Sequence, residues 1–145
     1  MKLSVRDLTM VAASVFLFTP HRPASAADPC QLVTTQEIAQ VLGNSVSSSA
    51  VGTTGCWWKG TPQSMNIVIR PASSWARITM PIQGITKTDV SGIGDAASFS
   101  GMQNIWTLSV KQGSNVIVMT VMGAKTPDQQ KSSEQTLARL ALKRL

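Results

Sequence analysis

The chain has 145 residues and a formal net charge of +6, with 43% hydrophobic and only 14% charged residues. That length accommodates one domain of ordinary size. The composition excludes a disordered chain, a collagen, a coiled coil and a multi-pass membrane protein, and two cysteines cannot build a disulfide-dense scaffold.

The chain opens with an address. Lys2 and Arg6 form a basic start, residues 8–18 an apolar run, Pro20 a break, and Ala24-Ser25-Ala26 a small-residue end. These are the three parts of a secretory signal peptide. An apolar helix of that length reaches about 17 Å, short of the ~30 Å hydrocarbon core, so a transmembrane anchor is not expected. Cleavage after Ala26 is predicted, with residues 1–26 as signal peptide and 27–145 as a single domain. Pro29 precedes Cys30, where a lipoprotein signal needs a small residue, so lipidation at Cys30 is rejected. Cleavage removes Lys2, Arg6, Asp7 and Arg22 and takes the net charge to +4. It also removes His21, leaving a mature protein with no His and no Tyr. Export places Cys30 and Cys56 in an oxidising compartment, where they are expected to pair. The alternatives are free thiols or a metal site, and two Cys without His make a poor metal set.

In chain order, Thr34-Thr35-Gln36-Glu37 reads as a capping box, followed by Ile38, Val41 and Leu42 on one helical face and by Gly43 as a stop. A short helix over 35–42 is predicted. Residues 44–55, rich in Ser, Thr and Gly, read as a loop. A strand follows over 55–59, then a turn at Gly60-Thr61-Pro62, then a strand over 65–70 in which Met65, Ile67 and Ile69 alternate with polar or smaller residues. Residues 73–80 read as either a short helix or an irregular crossing, and 81–91 as a loop or edge segment. Gly92-Ile93-Gly94-Asp95 is a turn into a strand over 96–100. Residues 104–111 alternate, with Trp106, Leu108 and Val110 on one face and Thr107, Ser109 and Lys111 on the other. Turn chemistry at 112–115 joins them to 116–122, an apolar run expected to be covered on both faces. Thr126-Pro127-Asp128-Gln129 is a second capping box, opening a helix that runs to near the C-terminus with Leu137, Leu140 and Ala141 on one face. Lys143 and Arg144 fall in its last turn, complementing the helix dipole. The expected fold is α+β: an antiparallel sheet of about five strands, with a short N-terminal helix and a C-terminal helix packed on one face.

The missing residues limit the chemistry. Without His in the mature chain there is no Ser-His-Asp or Cys-His arrangement, no imidazole metal site and no imidazole proton shuttle. Glu37, Asp128 and Glu134 are accounted for by helix starts and solvated helix faces, and Asp28 lies near the mature N-terminus. Asp89 and Asp95 have no base or nucleophile bracketing them. Gly92-x-Gly94-Asp95 lacks the Lys-Ser/Thr of a phosphate loop. No catalytic residue, metal or cofactor is assigned. Four tryptophans remain. On a strand, Cys56 and Trp58 face one way and Trp57 the other. A core-side disulfide therefore makes Trp58 core and turns Trp57 outward or under a second layer. Trp106 reads as core, and Trp75 lies in the ambiguous crossing. Lys59, Arg70, Arg77 and Lys111 fall on sheet exteriors or loops, as a solvated face or a mild positive patch for anionic envelope polymers. Trp57, Trp75, Arg70 and Lys59 form the candidate contact set. No nucleic-acid recognition motif is present.

The order Asp28-Pro29-Cys30-x-Leu32-x-Thr34, Glu37, Leu42-Gly43, Cys56-x-Trp58, Gly92-x-Gly94-Asp95-x-Ala97, Leu108-x-Val110-x-x-Gly113 and a terminal helix with Leu137-Ala138 resembles an uncharacterised family of small secreted and lipid-anchored bacterial domains, best known from actinobacterial envelopes. The resemblance covers most of the mature chain and is carried by the order of the motifs together with the two Cys contexts. It implies an envelope-located α+β domain with Cys30 paired to Cys56, and no activity. The chain departs from many members in lacking the lipidation Cys. A soluble periplasmic or secreted product is expected: a non-catalytic binding domain for an envelope polymer or protein, or alternatively an inhibitor or immunity-type protein acting on a secreted hydrolase.

Overall fold

The computed structural model describes residues 27–145, and the predicted signal segment lies outside them. The Asp28 carboxylate accepts the Cys30 N–H and opens a 3₁₀ turn at Pro29–Gln31. Helix α1 (Thr35–Leu42) starts on the predicted reciprocal box. The Thr34 hydroxyl accepts the Glu37 N–H, and the Glu37 carboxylate accepts the Thr34 N–H. It stops at Gly43, whose φ of 73° is the left-handed conformation that glycine adopts without a Cβ penalty.

Seven strands follow, not five: β1 (Val46–Val51), β2 (Gly55–Gly60), β3 (Ser64–Pro71), β4 (Thr86–Val90), β5 (Ala96–Met102), β6 (Ile105–Gln112) and β7 (Asn115–Met122). Helix α2 (Trp75–Ile78) lies between β3 and β4, and α3 (Pro127–Leu142) closes the chain. All strands belong to one antiparallel sheet of order β1-β2-β3-β7-β6-β5-β4. It is two meanders joined where β3 pairs with β7. The two additional strands are its edges. β1 lies inside the predicted Ser/Thr/Gly loop, and β4 inside 81–91, where a loop or edge segment is expected. Both are exposed over most of their length, so neither carries a buried–exposed alternation to read.

Helices α1 and α3 cover one face. Trp58, Met65, Ile67, Leu108, Ile117 and Met119 from the sheet meet Ile38, Leu137, Ala138 and Ala141 from the helices, all fully buried. The disulfide is formed between Cys30 and Cys56, with Cα atoms 5.1 Å apart, and joins the N-terminal turn to β2 on this inner side. β7 is covered on both faces only at its start, where Val116 is fully buried on the side away from the helices. Beyond it, Ile117, Met119 and Val121 are buried on the inner side, whereas Val118, Thr120 and Met122 are half-buried on the other.

Two expectations for α3 change. At its start the Thr126 hydroxyl accepts the Gln129 N–H, but the Gln129 side chain accepts from Lys125 rather than closing the box on Thr126. At its end Arg144 lies beyond the last turn. It forms a bidentate pair with Glu37 at 2.8 Å on each arm and donates to the Leu32 carbonyl at 3.0 Å. It therefore ties the C-terminus to α1 instead of serving the helix dipole.

Glu134 is not on a solvated face. It is fully buried, for a reason set by the sheet. The two-residue turn at Gly113-Ser114 makes every second facing pair of β6 and β7 a hydrogen-bonded one. The ladder stops at Leu108 opposite Met119, so Trp106 and Val121, the next such pair, are left apart. Helix α3 supplies what the strands no longer do. The Gln130 amide accepts the Trp106 N–H at 3.3 Å and donates to the Trp106 carbonyl at 2.8 Å. Glu134, one turn on, accepts the Val121 N–H at 2.8 Å and the Gln130 amide at 3.1 Å. Lys131 lies over the Trp106 ring, 3.5 Å from its centroid.

Candidate functional site

The face opposite the helices carries a different set of side chains, because each strand's alternation sends its polar members there. A row of facing residues crosses it from β2 to β5. Trp57 pairs with Asn66 and Asn66 with Thr120. The Thr120 hydroxyl bonds that of Thr107 at 2.9 Å, and Thr107 faces Ser100. The chain must travel from β3 to β4, at the far edge of the sheet, and it does so over this face. Residues 72–85 form that crossover. It is pinned at its start by Ala72 N–H on the Ser114 carbonyl, and at its end by the Lys87 ammonium, which donates to the carbonyls of Ile78 (3.1 Å) and Met80. The strap roofs Ser98 and Ser109, which are buried even though they point away from the helices.

Open space remains beside the strap. A groove of about 480 Å³ has Arg70, Arg77, Ile78 and Ile82 on its walls, with Ser100, Thr107, Ser109 and Val118 on the sheet below. Ser100 and Thr107 also border a shallower depression of about 250 Å³, whose other walls are Ile85, Gly101, Met102 and Ile105. A third space, about 510 Å³, lies at the β4–β5 edge against Trp75, Thr79, Asp89, Val90, Ala96 and Ala97. Arg70 and Arg77 are both exposed. Neither has a carboxylate partner, since among the described residues the only ion pair is Arg144–Glu37.

The candidate contact residues separate. Arg70, at the end of β3, lines the groove. Trp75 lines the β4–β5 space instead. Trp57 and Lys59 share the outer face on β2, but neither borders the groove. Trp57 is half-buried and its indole nitrogen is enclosed, with no hydrogen-bond partner among the described residues. Sequence reasoning missed Ser100, Thr107 and Ser109 as site residues, and placed Arg77 on a solvated face or a mild positive patch without including it in the contact set. The available signal was the hydroxyl residues opposite Phe99, Leu108 and Val110 in the period-two pattern.

The carboxylates have separate tasks. Asp95 accepts the Gly113 N–H at 2.7 Å. It follows Gly94, where φ is 60° and a Cβ would strike the Lys111 carbonyl and Val110, so the glycine-rich stretch serves a turn. Asp89 is exposed on the edge strand β4. Glu37 is drawn down to a pKa of about 2, first by its bond to Arg144 and then by the Thr34 N–H. Glu134 is pushed up to about 8 by burial, against the opposing pull of the Val121 N–H and the Gln130 amide. Among the described residues, no group of three or more His, Cys, Asp and Glu is placed to hold a metal ion, and no helix is long and apolar enough to cross a membrane.

No protein-family model, no curated protein and no solved structure matches the chain.

Proposed function

We propose that the chain is an exported, non-catalytic binding domain of the bacterial cell envelope, and that it binds through the outer face of its sheet. One observation carries the reading. The helices bury one face of the sheet, while the other carries Trp57, a row of hydroxyl and amide side chains, Arg70 and a single strap bearing Arg77, with both arginines unpaired and space on both sides of the strap. A recognition surface needs polar groups with spare hydrogen-bonding capacity beside apolar area, and this face offers both. The carboxylates support a non-catalytic role, because Asp28, Glu37, Asp95 and Glu134 are each occupied in holding backbone groups. The disulfide suits an oxidising compartment. The signal-like start and the resemblance to secreted envelope domains point the same way.

The test is co-sedimentation of the processed, oxidised chain with insoluble envelope material at low and high salt. Pelleting that survives high salt and falls about tenfold in Trp57→Ala, with the melting temperature kept within a few degrees, is expected. Pelleting abolished by salt would reduce the interaction to net charge alone and overturn the reading.

A further inference from the structure

We infer that the groove beside the crossover binds a single-chain amphiphile with a phosphate head, an inference that rests on the outer-face reading and gives its ligand a chemical class. The head end follows from charge. Arg70 on β3 and Arg77 on α2 come from different elements to line one groove, and no carboxylate lines it with them. Asp89 borders the separate space at the β4–β5 edge. Two guanidinium forks over hydroxyl groups match the several oxygens and the charge of a phosphate better than the single charge of a carboxylate.

The tail end follows from exposed apolar surface. Five large hydrophobic side chains are exposed among the described residues. Four of them, Met80, Ile82, Met102 and Ile105, lie on the crossover or at the β5–β6 turn, at 53%, 54%, 55% and 65% exposure. A monomeric domain rarely gathers its exposed apolar residues in one place without a use for them. Ile78, Ile82 and Val118 begin an apolar track inside the groove. Ser100 and Thr107 border both the groove and the depression formed by Ile85, Met102 and Ile105, so the two spaces adjoin. Arg70 lies near the β6–β7 turn and Ile105 at the opposite end of β6, roughly 20 Å away at the rise of a strand. Charge at one end and apolar surface at the other select an amphiphile over a free anion. The groove has no aromatic ring in its walls, which disfavours a neutral sugar polymer as its occupant.

Calorimetric titration of the processed, oxidised chain with sub-micellar dodecyl phosphate tests this, with dodecyl maltoside and inorganic phosphate as companion probes. Dodecyl phosphate is expected to bind and to shift the amide resonances of Ser100 and Thr107. Arg70→Gln combined with Arg77→Gln should weaken it about ten- to a hundredfold, given the strength of charge-assisted hydrogen bonds. Ile82→Ser with Met102→Ser should weaken it while leaving the arginines in place. All four side chains are exposed, so an unchanged melting temperature verifies the fold of each variant. Inorganic phosphate binding as tightly as dodecyl phosphate would overturn the tail, and equal binding of dodecyl maltoside would overturn the head. No binding of dodecyl phosphate, with Trp57-dependent envelope binding intact, would sink this inference and leave the outer-face reading standing.

Discussion

Glu134 lies fully buried between α3 and the parted ends of β6 and β7, where desolvation lifts its pKa from 4.5 to about 8. In the unfolded chain the same group ionises near its ordinary value. The folded state therefore holds a proton that the unfolded state has lost, and the stability tied to it is full below about pH 4.5 and declines as pH rises toward 8. Glu134→Gln keeps an acceptor for the Val121 N–H and carries no charge. Urea unfolding of both proteins at pH 4 and pH 8 should show the wild type losing on the order of 4 kcal/mol more than the variant between those points. Glu37 runs the other way. Arg144 and the Thr34 N–H lower its pKa to about 2, so its contribution is present above pH 4.5 and is lost as pH falls through 2. In Arg144→Gln, a carboxyl titration followed by NMR should place the Glu37 midpoint closer to 4.5, and acid unfolding should begin at a higher pH. The two windows do not overlap, so each variant changes a different limb of the pH profile.

Neighbouring residues on β2 separate core from surface. Trp58 is fully buried, and Trp58→Ala should cost about 3–5 kcal/mol, whereas Trp57→Ala should cost about 1 kcal/mol. Denaturant midpoints of the two variants settle the difference. This contrast is legible in the sequence, because consecutive strand residues face opposite ways and Cys56 marks the inner side. α1, β2, β3, β5, β6, β7 and α3 are legible for similar reasons: caps, alternation and turn residues act locally. β1 is not, and β4 only as one of two readings of 81–91, since an edge strand such as Val46–Val51, with three consecutive serines, owes its form to its neighbour rather than to its own pattern. Glu134 reads as solvated because a charged residue on a terminal helix usually is, and Gln130 carries no signal at all. Only the early end of the β6–β7 ladder gives the two side chains a buried task.

At the scale of the molecule, the candidate groove was not legible. Arg70, Arg77, Ser100 and Thr107 belong to four elements, β3, α2, β5 and β6, brought together by a crossover whose side of the sheet leaves no mark in local sequence. Arg70 and Arg77 are both named for their charge, and Arg70 alone of the four enters the contact set. The two ends of the described residues are fastened by different chemistry: the Cys30–Cys56 disulfide, with a sequence separation of 26, and the Arg144–Glu37 pair. Cys30→Ser with Cys56→Ser should lower stability by about 3.5 kcal/mol on the loop-entropy account, and the melting temperature by roughly 10–15 °C in a calorimetric scan. The side-chain plug from α3 has a consequence of its own. The amides of Trp106 and Val121 are satisfied by Gln130 and Glu134 and not by a partner strand, so their exchange with solvent deuterium is governed by how often the helix lifts away. In a seven-stranded sheet, those two protons would report the opening of a helix.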